Sequence, residues 1–92
     1  MEVVLFPLGR LLATPGALKA LERAGETIET LLARHSTGDW GNVCEEDRKE
    51  NDFSVRNGFR LLSAYKDRGG TKFWIVTEAD RSATTVLLPE DY

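Results

Sequence analysis

The stretch "GFRLLSAYKDRGGTKFWIVTEADRSATTVLLP", residues 58 to 89, decides the fold. Before it, apolar residues recur every third or fourth position; within it they recur every second, the period of a half-buried strand. It contains three strand candidates, "GFRLLSAYKD", "TKFWIVTEA" and "TTVLLP". The glycines of "DRGG" suit a tight hairpin between the first two, and "DRSA" joins the last pair. Alternation sets Phe59, Leu61, Ser63 and Tyr65 on one face of the first strand, and Phe73 and Ile75 on one face of the second. Trp74 and Val76 point the other way, so both faces of the sheet carry apolar residues. One face needs helices over it, and the other needs cover of its own.

Those helices are legible upstream. In "RLLATPGALKALERAG" Thr14 is the expected N-cap, Pro15 takes the first helical position and Gly25 follows the last turn, with Ala17, Leu18 and Leu21 sharing a face. "TIETLLARH" begins a second helix at Thr27 and places Ile28, Leu31, Leu32 and His35 at i, i+3, i+4 and i+7, so the histidine ends an apolar stripe. So short a link predicts a helical hairpin or a sharp corner. Then "STGDWG" reads as a turn, and Asn42 with Glu45 three positions later reads as a capping box opening a third helix over residues 43–54. That helix is expected to face solvent, anchored by Val43 and Phe53. Its acidic residues read as a solvated face supported by the pairs Glu45 to Lys49 and Arg48 to Asp52. The expectation is one α+β domain over residues 1–92, two to three N-terminal helices packed on a three- to four-stranded antiparallel meander, with residues 9–13 adding an edge strand.

Composition narrows the function classes. A chain of 92 residues supports one core, because it buries only about 60 to 65 per cent of its unfolded surface. With 41% hydrophobic and 29% charged residues it has the make-up of a soluble globular protein. A net charge of -3 and a pI near 5.1 disfavour a general phosphate-backbone binder, leaving only RNA contact through a local patch. One cysteine and one histidine give no intramolecular disulfide and no zinc-site spacing, so neither structural metal nor cofactor is expected. In "MEVVLFPLG" Glu2 stands where a signal peptide is basic and Pro7 interrupts the apolar run, so the expected location is cytoplasmic and away from membranes.

The strings "LFPLGRLLATPGAL", "LLARHSTGDWG", "GFRLLSAY" and "FWIVTEADRSATTVLLPEDY" together resemble a family of small proteins carried on plasmids, phages and other mobile elements. Its members are labelled plasmid-related, or attached by name to type I restriction systems without a methylase or endonuclease domain. The resemblance spans nearly the whole chain. It implies a mobile-gene context, and with it a role in host defence or anti-defence, but no particular reaction.

Two segments hold the candidate site residues. In "HSTGDWGNVCEED", residues 35 to 47, His35 and Asp39 suggest proton transfer, yet a histidine ending an apolar stripe can equally bond the following turn, which Asp39 can cap. Trp40 reads as a plug between helix and sheet, or as an aromatic anchor for a partner. Cys44 lies in a first helical turn, but Glu45, Glu46 and Asp47 oppose a reactive thiolate. The second segment, "TEADRSATT", gathers Thr77, Glu78, Asp80, Arg81 and Thr85 between two apolar strands, either as an extended hairpin loop or as a polar cluster binding a phosphate or carboxylate through Arg81. No phosphate-binding glycine loop, nucleophile elbow or zinc-protease motif is present in the sequence.

These features suit a non-catalytic accessory protein that binds another protein through loop aromatics, apolar strand faces and an acidic surface, with a homodimer through the uncovered sheet face compatible with it. The alternative is a small metal-independent ribonuclease of the toxin type. There His35 would carry the proton, Arg60 and Arg81 would stabilise the phosphorane, and Tyr65 or Thr85 would orient the 2'-hydroxyl. The spatial relation of His35, Arg60 and Arg81 discriminates the two.

Overall fold

The computed structural model describes residues 3–92. Strand β1 (Arg10–Ala13) leads into helices α1 (Pro15–Ala24), α2 (Ile28–Ser36) and α3 (Glu45–Asn57), and strands β2 (Leu61–Lys66), β3 (Lys72–Thr77) and β4 (Ala83–Leu87) follow, with a 3-10 turn at Pro89–Asp91. The fold is α+β, but the sheet is mixed. Its order is β1-β4-β3-β2, with β2, β3 and β4 antiparallel as expected and β1 parallel to β4. The edge strand expected at residues 9–13 forms and precedes the helices, but its parallel pairing with β4 corrects the purely antiparallel sheet behind N-terminal helices. Parallel neighbours need a long crossover, and the three helices with the β2–β3 hairpin supply it.

Local punctuation follows the sequence closely at α1 and α2. Thr14 and Thr27 cap them, accepting from the backbone N–H groups of Ala17 and Thr30, and Gly25 closes α1 in the left-handed region at φ 69°. Ala17 and Leu21 are buried as expected, whereas Leu18 is exposed. Both helices cover one sheet face, where Leu31, Leu32, Tyr65, Phe73, Ile75 and Val86 form the main core.

The third helix departs from expectation at both ends. Cys44, not Asn42, is its N-cap and makes no side-chain capping bond, while the Asn42 backbone N–H donates to Ala64. Tertiary pairing overrides the capping box here: Gly41 bridges to Ala64 and draws the segment onto the outer edge of β2. Phe53 is not an anchor. It is 54% exposed and stacks on Phe59, which also lies outside the core, and the inward residues of α3 are Asn51 and Ser54. The Asn51 amide donates to the Leu62 carbonyl and accepts from the Leu62 N–H, so a side chain mimics a neighbouring strand along that edge.

Among the described residues no α-helix lies over the second sheet face. Register places Leu12, Thr85, Val76 and Leu62 in one row across it, with Trp74 and Leu87 in the next. Its cover is local: Tyr92 meets Trp74 edge to face at 5.8 Å between ring centroids. Among the described residues no helix is long and apolar enough to cross a membrane.

Candidate functional site

His35 reaches the sheet from the last turn of α2 because the apolar stripe that ends on it faces inward, and the ring is fully buried. Its Nδ1 bonds Ser63 on β2 and its Nε2 bonds Thr77 on β3 at 2.8 Å. Thr77 in turn meets Thr84 at 2.8 Å, and the Thr84 hydroxyl donates to the Leu8 carbonyl at 2.7 Å.

That final carbonyl sets the direction of the whole chain. A carbonyl only accepts, so the single Thr84 hydroxyl proton is spent on it. Thr77 must then donate to Thr84, and Nε2–H must donate to Thr77. The imidazole therefore carries a proton on Nε2, and its burial keeps it neutral, with Nδ1 accepting from the Ser63 hydroxyl. Burial, with the Arg81 charge as the lesser cause, lowers its pKa to about 4, which agrees with a ring held neutral. Phe6 and Trp40 close the space around it, with centroids 5.2 and 5.7 Å from the imidazole and both rings edge-on.

The expected partnership of His35 with Asp39 does not form. Asp39 lies on the exposed turn and takes a hydrogen bond from Arg34 Nε at 2.6 Å, which holds its carboxyl below the usual range, while also accepting from the Gly41 N–H. Arg34 at the same time sits 4.3 Å over the Tyr65 ring. Trp40 is 1% exposed and its Nε1–H donates to Asp52 at 3.0 Å, so it plugs the junction of turn, α3 and sheet rather than offering a contact surface. Its neighbours there are Phe6 and Leu61. Tyr65, suggested as an aid to a 2'-hydroxyl, is buried and donates its hydroxyl to the Asp39 carbonyl.

The polar segment 77–85 likewise turns inward. Thr77 is fully buried and has no surface for a ligand; the same holds for Thr84. Arg81, at φ 61°, donates to the carbonyls of Ser54, Phe59, Glu78 and Ala79. Its guanidinium clasps the end of α3 to the β3–β4 turn, so the Nη1 and Nη2 groups anticipated for an anion are engaged by backbone carbonyls. Asp80 accepts from the Ser82 N–H within that turn, and Glu78 is exposed beside it. Thr85 lies half-buried on the open sheet face.

The three groups of the ribonuclease reading do not share a cleft. Phe6 packs on both His35 and Arg81, its centroid 5.2 Å from the imidazole centroid and 5.6 Å from the guanidinium carbon. Arg60 belongs elsewhere, donating to the Tyr92 hydroxyl at 3.2 Å beside Trp74 on the open face. No group of three or more metal-ligating side chains occurs among the described residues, and Cys44 is an exposed free thiol.

Sequence reasoning did not bring together the residues of the cavity on the open face. A cavity of about 260 Å³ lies on the open face between α3 and the sheet, walled by Asp47, Glu50, Arg60, Leu62, Trp74 and Tyr92. Two signals pointed there: Trp74 and Val76 on the face without helices, and acidic residues on α3 spaced to look toward it. Comparison of the chain with protein-family models, curated proteins and solved structures finds no match.

Proposed function

We propose that the chain is a non-catalytic accessory protein that acts by binding a protein partner through its open sheet face. The observation that carries this is the state of its polar groups. The only imidazole has both ring nitrogens engaged in a buried chain, and Arg81 is spent on backbone carbonyls, whereas Trp74, Arg60 and Tyr92 line a cavity open to solvent. Proton transfer requires a ring nitrogen within reach of substrate, and a phosphorane requires unengaged donors beside it. Surface recognition requires neither.

The resemblance to proteins of plasmids and phages supports placing that partner in the contest between mobile elements and host defence. Site-specific photo-crosslinking tests the binding reading. A photoreactive residue in place of Thr85, on the open face, is expected to give a discrete protein adduct in cells, while one in place of Glu22 on the outer side of α1 gives none. Cleavage of cellular RNA by the purified chain without divalent metal would overturn the reading.

A further inference from the structure

The cavity beside Trp74 belongs to a longer trough. A second cavity of about 370 Å³ shares Asp47, Leu62 and Trp74 with it and runs on to Lys66 and Lys72. A third, of about 500 Å³, shares Glu50 and Arg60 and ends at the stacked, exposed pair Phe53 and Phe59. Together the cavities follow α3, whose 13 residues measure about 20 Å. An extended chain rising about 3.3 Å per residue covers that length with about six residues.

The charges along the trough are ordered and unpaired. Lys66 and Lys72 stand at one end, Asp47 where the first two cavities join, and Glu50 and Arg60 where the first joins the third. Asp47 and Glu50 are three apart on the helix and so lie on one side of it. The ion pairs among the described residues are Arg34–Asp39 and Arg48–Glu45, so none of these five charges has an ionic partner.

This order selects the occupant. A nucleic acid strand would carry uniform negative charge past Asp47 and Glu50, where like charges repel. Strand addition at the edge of β2 is blocked, because Asn51 and the segment around Gly41 already hold the backbone groups of Leu62 and Ala64. The segment must lie on the face, with side chains supplying the contacts.

We propose that this trough holds an extended segment of a partner protein, with a lysine or arginine between Asp47 and Glu50, an aromatic or aliphatic neighbour on Trp74, and acidic residues toward Lys66 and Lys72 at one end and toward Arg60. The proposal rests on the binding reading above.

Selection from a phage-displayed library of random decapeptides, followed by fluorescence anisotropy of the enriched peptides, tests it. Enriched sequences are expected to carry a central Lys or Arg flanked by apolar and then acidic residues. The Asp47→Asn, Glu50→Gln double variant, which alters only exposed carboxyls, is expected to weaken binding at least tenfold. Trp74→Ala is expected to do the same, and Lys19→Ala on α1 to leave binding unchanged. Enrichment of nothing, of sequences without the central cation, or of peptides indifferent to the double variant overturns the proposal. So does a dimer seen by light scattering that Trp74→Ala dissolves, or a fluorescein-labelled 15-mer of uridine that binds through Trp74. Those outcomes leave a binding role standing, whereas RNA cleavage by the chain removes both.

Discussion

His35 illustrates how a residue that looks like chemistry becomes architecture. Protonating Nδ1 would place a charged imidazolium in the space closed by Phe6 and Trp40, and burial makes that charge costly. The unfolded histidine, with pKa near 6.5, binds a proton more readily than the folded one at about 4. Stability is accordingly full above about pH 6.5 and falls as pH drops toward 4, by roughly 3 kcal/mol from this group at the bottom of the window. Urea denaturation at a series of pH values checks this, and His35→Gln should flatten the dependence over that range. Trp40→Ala removes a side chain that is 1% exposed and packed on Phe6 and Leu61, so a loss of about 3 to 5 kcal/mol is expected in the same assay. Arg81 separates side chain from backbone. Arg81→Ala forfeits charge-assisted bonds to four carbonyls and should cost about 2 kcal/mol, while Arg81→Gly recovers part of that because φ 61° no longer opposes a Cβ. The predicted order of melting temperatures is wild type, then Gly, then Ala, which replaces the nearly unchanged melting temperature that an exposed anion-binding arginine would give.

At the scale of elements, α3 and the turn before it act as an edge seal. An open strand edge invites pairing with another chain, and β2 avoids this by giving its outer backbone groups to Asn51 and to the Trp40–Asn42 segment. Gly41 is required there: at φ 75° it lies so close to the Ala64 carbonyl and the Tyr65 ring that a Cβ would collide with both. Asn51→Ala would orphan the Leu62 N–H and carbonyl, at an expected cost of about 2 kcal/mol read by thermal melting, and would leave β2 prone to association measurable by light scattering. The caps of α1 and α2 were legible because Thr14, Thr27 and Gly25 act within one turn of chain. The start of α3 was not, because Asn42 is claimed by Ala64, a residue 22 positions on, and no local rule sees that competition. The exposure of Phe53 escaped for a similar reason: an acidic helix with few apolar residues gives a weak period, and the neighbours that decide its orientation come from β2.

For the whole molecule, the parallel pairing of β1 with β4 matters most. Arg10 sits opposite Ala83, so the sheet closes only when the two ends of the chain meet, and β3 and β4 become the centre. Hydrogen exchange should report this: amides of β3 and β4 exchange at the rate of global unfolding, whereas the outward N–H groups of Leu11 and Ala13 on edge strand β1 exchange by local opening and faster. The sequence alone determined the element types and most helix ends, since period and caps are local properties. It also determined that the sheet has two apolar faces, because alternation is read directly from strand residues. Only the tertiary structure decided which face stays open, which residue pairs are long-range, and that His35 and Arg81 are consumed inside the protein. The physical reason is that a polar side chain finds its partner in three dimensions: the histidine's two hydrogen-bond partners lie 28 and 42 residues away, on strands whose register the chain settles only when it folds.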